Sequence, residues 1–245
     1  MPGKRIVAEV LVVCAISTAV LVALWHLAGI SSWIADNLGS LVALVFILLP
    51  ALVARRRGED LADHGLTLKP LGRSLAFGLG GPALVFPLFL VGFVLFYQLV
   101  CASSQGQLLS SLAPHGMCQR FLGWTGLVQP HAPADFLQSL LVQLGVVALP
   151  EELFFRGYVL GRLEQAMPPS RRWLGGGIGI ALFFSAALFA AGHLLVDLDP
   201  RRLAVFFPGL LFGWMRSATK SILAGTLAHA CSNLYIEALH RTFFR

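Results

Sequence analysis

Long apolar runs separated by short clusters of charge set the pattern of this chain. A hydrocarbon core of about 30 Å takes roughly 20 mainly apolar residues in a helix, and the runs have that length. The pattern predicts about seven helices, over Ile6–Leu27, Leu38–Ala54, Ser74–Val100, Ala134–Leu163, Leu174–Val196, Leu203–Met215 and Ser221–His240. The expected fold class is therefore all-α, a polytopic membrane helix bundle of about seven transmembrane helices, in a single domain over residues 1–245.

The breaks carry detail of their own. Ser31, Ser32, Asp36 and Asn37 read as a polar turn before the second helix, and Arg55-Arg56-Arg57 ends that helix. Gly78, Gly80, Gly81, Pro82 and Pro87 predict a kink in the third, of the kind membrane helices tolerate when neighbours satisfy the freed backbone groups. Gly175-Gly176-Gly177-Ile178-Gly179 opens the fifth, where it would let another helix approach closely, and Gly209 and Gly213 have GxxxG spacing in the sixth. The apolar run after Lys4-Arg5 has no small-residue cleavage site, so it reads as a retained first helix rather than a signal peptide.

Composition strengthens the membrane reading. With 57% hydrophobic residues, 12% charged and a mean hydropathy of +0.77, an ordinary soluble domain is excluded. The net charge of +6 comes from Lys and Arg lying between apolar runs without interleaved aromatics, which fits membrane orientation and not nucleic-acid binding. That bias puts the N-terminus and the 55–73, 162–173 and 216–220 connections on one side, expected to be cytoplasmic, against Arg201, Arg202, Arg241 and Arg245. The connection holding Cys101 and Cys118 then faces outward, where the two could form a disulfide. The four cysteines show no CxxC spacing, which argues against a sulfur-ligated metal.

Candidate chemistry is what remains polar inside the helices of the second half. Glu151, Glu152, Arg156, His193, His229 and Asn233 fall on three helices. Each charge at the centre of a bilayer costs about 2.5–3.5 kcal/mol, so an ionisable residue there calls for a function. Glu152 and Arg156 are four apart with the acid first, the favourable order for an ion pair along one face. Glu151 is rotated about 100° away and lacks that partner, which suits a general base. Phe189 and His193 share a face, where the ring can floor a pocket and the imidazole can hold a water. His229 and Asn233, also four apart, could donate hydrogen bonds to one developing oxyanion. Pro150 is expected to loosen the helix beside the glutamates.

Three ordered motifs, Glu151-Glu152-Leu153-Phe154-Phe155-Arg156, Phe189-Ala190-Ala191-Gly192-His193 and His229-Ala230-Cys231-Ser232-Asn233, resemble those of the CAAX protease and bacteriocin-processing (CPBP) family. The resemblance covers residues 135–240. It implies an intramembrane endopeptidase of the bacterial inner membrane, with Glu151 activating water, His193 positioning it, His229 and Asn233 holding the oxyanion, and Glu152, Arg156 and Phe189 in support. Its substrate would be a membrane-anchored protein, and the Glu-Glu-Leu-Phe-Phe-Arg-Gly-Tyr form of the first motif is similar to that of myxosortases, which process C-terminal sorting tails.

No cofactor is expected. If a metal is used, zinc on Glu151, His193 and His229 is the chemically reasonable set, since His₂Glu plus water is a known catalytic arrangement. HExxH, GxGD and rhomboid-type serine motifs are absent. A proton-coupled carrier using the same Glu/His cluster is the alternative, though the inverted repeat common among carriers is not visible.

Overall fold

The computed structural model describes residues 2–102, 113–114, 116–133 and 135–244. The expected first residue of the fourth helix, Ala134, and the terminal Arg245 lie outside the described residues. Seven main helices occupy the expected stretches: α1 Pro2–Ala28, α2 Ser32–Arg57, α3 Leu71–Ala102, α4 Phe136–Ala166, α5 Ile180–Asp197, α6 Phe206–Thr219 and α7 Leu223–Phe243. Among the described residues, the 5 helices α1 to α5 are long and apolar enough to cross a membrane. The α6 helix, with 14 residues, is too short for a core of about 30 Å at about 1.5 Å per residue. The 21-residue α7 is diluted by His229, Ser232 and Asn233 and buries much of its surface in the bundle. The chain is a multi-pass membrane protein.

Local chemistry moves several boundaries. The α2 helix starts six residues before the expected Leu38, because Ser31 caps it by accepting the Ile34 N–H. Asn37 then lies within the helix, its side-chain amide donating to the Trp33 carbonyl. Gly58, at φ 69°, closes the same helix in the left-handed conformation, its N–H meeting the Ala54 and Arg55 carbonyls. The α3 helix continues through Pro82 and Pro87. The glycine run at 175–179 does not open α5. It forms a two-stranded hairpin, β1 Arg171–Trp173 with β2 Gly176–Ile178, turning at Leu174 and Gly175, both at positive φ. Glycine costs a helix about 1 kcal/mol per residue, and here the chain uses it where a side chain has no room. A Cβ on Gly176 would meet the Trp214 indole, and one on Gly177 would meet Pro169 and Ser217.

Close helix approach uses other glycines. Gly213 faces Leu182 of α5 and Leu160 of α4, while Gly209 faces Phe189 and Ala186 of α5. Gly78 seats α3 against Ala224 and Leu227 of α7.

The two ends of the bundle differ. At one, the N-terminal half of α1, the end of α2, the 58–70 connection, the end of α4 and the α6–α7 turn converge. Arg162 lies 3.5 Å from Glu9 and 3.4 Å from Glu59, Arg57 pairs with Glu9, His64 lies 3.1 Å from Glu59, and the Ile222 N–H donates to the Gly65 carbonyl. At the other end, Cys101 of α3 forms a disulfide with Cys118, and Phe121 bridges to Phe244 after α7. An aromatic cluster of Phe93, Tyr97, Phe243 and Phe244 packs beneath them.

Candidate active site

Helix α4 widens on both sides of its charged pair. Gln143–Ala148 and Leu153–Leu160 are π-helical, with Leu149–Glu152 as the α-helical turn between them. Pro150 cannot donate to the preceding turn, and π-bulges of this kind often mark functional sites. The widening also leaves the Phe155 carbonyl able to accept from the Ser185 hydroxyl of α5, at 3.1 Å.

The two glutamates meet different surroundings. Glu152 is fully buried, and its Oε1 accepts from Arg156 Nη1 at 2.8 Å and lies 3.1 Å from Nδ1 of His229. Oε2 of Glu152 faces Gly225, where a Cβ would stand only 2.6 Å away. The Arg156 guanidinium lies 4.2 Å from the Phe189 ring centre and 5.4 Å from that of Phe212, so aromatic faces replace water around the charge. Phe212 in turn stacks on the His229 ring at 5.2 Å. A buried charge needs this compensation, because removing one partner leaves the other stranded.

Glu151 is partly buried, and its Oε2 has no hydrogen-bond partner. Nε2 of His229 is 3.9 Å from that oxygen, beyond hydrogen-bonding distance. Glu151 borders a cavity of about 310 Å³ enclosed by α1, α2, α4 and α5. His193 borders the same cavity, its Nδ1 donating to the Phe189 carbonyl at 2.9 Å, which leaves Nε2 as the nitrogen free for other partners. The Phe189 ring lies 4.5 Å from the imidazole and is buried beneath it.

The remaining expected residue, Asn233, donates its side-chain amide to Oε1 of Gln143 at 2.8 Å. His229 and Asn233 thus stand one turn apart on α7 but take different partners, and neither is among the residues lining the Glu151–His193 cavity. Among the described residues no group of three or more His, Cys, Asp and Glu side chains is placed to hold a metal ion. Glu151, His193 and His229, the set considered for zinc, form no such group.

Several participants escaped the sequence reading. Gln143 had a signal, an amide two turns before Glu151 in an apolar stretch of helix. Gly225 and Phe212 had none, because a glycine or phenylalanine in such a helix is ordinary. The cavity walls from α1 and α2, including Thr18, Val42 and Phe46, come from the half of the chain that carries no motif.

Residues 133–235 match the family described as type II CAAX prenyl endopeptidase, Rce1-like. No curated protein and no solved structure matches the chain.

Proposed function

We propose, from the match of residues 133–235 to the Rce1-like CAAX endopeptidase family, that the chain is a CAAX-type intramembrane endopeptidase and that Glu151 is the general base of a glutamate-activated peptidase. The observation that carries this reading is the contrast within α4: Glu152 is fully buried, with Oε1 tied to Arg156 and His229, while Glu151 is only partly buried and borders a cavity shared with His193.

In this mechanism a water in the cavity gives its proton to Glu151 as its oxygen attacks the scissile carbonyl. Nε2 of His193 positions that water, with Nδ1 fixed by the Phe189 carbonyl. We assign the oxyanion to the Nε2 edge of His229, which lies 3.9 Å from Glu151, and to the Asn233 side chain, both on α7 just outside the cavity lining and held by Glu152 and Gln143 respectively. Collapse of the tetrahedral intermediate breaks the C–N bond, and Glu151 returns the proton to the departing amine.

The substrate we propose is the membrane-associated C-terminal segment of another protein, a sorting tail of the kind myxosortases remove, in a bacterial inner membrane. The test compares the C-termini of surface proteins, by mass spectrometry, between cells carrying the unchanged chain and cells carrying Glu151→Gln. Unprocessed tails are expected in the variant while the protein still inserts at normal abundance. Full processing with Glu151→Gln would sink the proposal.

A further inference from the structure

The cavity is asymmetric along the bundle. Its walls come from the second half of α1 (Ser17 to Trp25), the first half of α2 (Leu38 to Phe46) and the last turn of α5, and its rim includes Asp197 and Arg202. All of these lie toward the end of the bundle that holds the α1–α2 turn and the α5–α6 turn. The same end carries the Cys101–Cys118 disulfide, because α3 runs up from the opposite end and Cys101 lies in its last described turn. The rim is polar and ordered: Arg202 Nε lies 2.9 Å from an Asp197 carboxylate oxygen. Beside it, the Arg201 side chain and backbone N–H hold the Asp199 carboxyl down at about 2, so this turn stays charged at any ordinary pH.

Two independent observations give that end a side of the membrane. Of the 18 Lys and Arg, all except Arg120, Arg156, Arg201, Arg202, Arg241 and Arg245 belong to segments at the other end, Arg245 being outside the described residues. Such a bias places the other end in the cytoplasm. A disulfide persists on the side away from the reducing cytoplasm. Charge and sulfur agree on the orientation.

We infer that the cavity opens to the non-cytoplasmic face, so that its substrate is an apolar segment of a protein already carried across the membrane, entering from the outer half of the bilayer. Leu21, Val42, Phe46, Val146, Phe155 and Val196 give the cavity an apolar lining suited to such a segment, and Glu151 and His193 stand in the same lining. A tail anchored at the cytoplasmic surface would reach the basic end of the bundle instead. The naming of a protein substrate rests on the proposed peptidase; the side of the opening does not.

The experiment uses the full chain with Leu198→Cys, an exposed position beside the rim, or Arg55→Cys, at the end of α2 on the basic side. A membrane-impermeant maleimide is applied to spheroplasts and to inverted inner-membrane vesicles, with the unsubstituted chain as the control for Cys14 and Cys231. Leu198→Cys is expected to label in spheroplasts only and Arg55→Cys in inverted vesicles only. Labelling of Leu198→Cys in inverted vesicles, or from neither side, overturns the inference. Surface-protein processing in the Leu198→Cys cells separates the two claims. Reversed labelling with intact processing removes the sidedness and leaves the peptidase standing, whereas expected labelling with processing that persists in Glu151→Gln does the opposite.

Discussion

Nδ1 of His229 lies 3.1 Å from Oε1 of Glu152, the same oxygen that accepts Nη1 of Arg156 at 2.8 Å. One carboxylate oxygen thereby joins α4 to α7 and holds the imidazole edge that turns toward Glu151. In the proposed mechanism, the glutamate that does no proton transfer sets the geometry for the one that does.

Replacing these neighbours should separate stability from chemistry. Glu152→Gln strands Arg156 among apolar side chains and is expected to cost about 3–5 kcal/mol, read as a lower unfolding midpoint in detergent, with activity falling in parallel. Glu151→Gln should leave that midpoint nearly unchanged and lower kcat by about 10²–10⁴-fold. Equal destabilisation by the two would refute the division of roles.

Gly225 tests the packing behind Glu152. A methyl group at this position would stand 2.6 Å from Oε2 of Glu152, so Gly225→Ala must displace either the carboxylate or α7. The expected cost is about 1–3 kcal/mol with a marked loss of activity. A variant of undiminished activity would show that Glu152 needs no fixed position.

Gln143 is the least expected member of the site. Gln143→Ala removes the acceptor that Asn233 uses and should cost about 1 kcal/mol of stability. Because the lost bond orients the proposed oxyanion donor, kcat should fall about tenfold with KM little changed. Gln143→Glu keeps an acceptor at that place and should restore part of the rate. A change confined to KM would assign Gln143 to substrate binding.

Cys101→Ser removes a crosslink across a sequence separation of 17. Loop-closure entropy puts its contribution at about 3 kcal/mol, measurable as a lower thermal midpoint, with activity retained below that midpoint. Reducing agent should reproduce the shift in the unchanged chain and add nothing in the variant.

Chelation addresses the zinc alternative. Purified protein incubated with EDTA or phenanthroline is expected to keep its peptidase activity. Loss of activity that stoichiometric zinc restores would require the three side chains to move together and would overturn the metal-free mechanism.

The membrane class, the places of the seven helices and the charged residues that need a reason to be there were all legible in the order of the amino acids. That is so because burial of polar groups in lipid is costly enough to leave few of them, and because Arg156 four residues after Glu152 puts both on one face of α4. The sequence reading failed where the effect was local: at Ser31, whose cap pulls α2 forward, and at Gly175–Gly179, where turn geometry outweighs apolar character. It took the packed bundle to show that Glu152, rather than a free oxyanion, meets Nδ1 of His229, that Asn233 is engaged by Gln143, and that Glu151 shares its cavity with His193 between walls from α1 and α2. Those relations depend on how helices distant in the chain rotate and stack. No periodicity within a single helix encodes them.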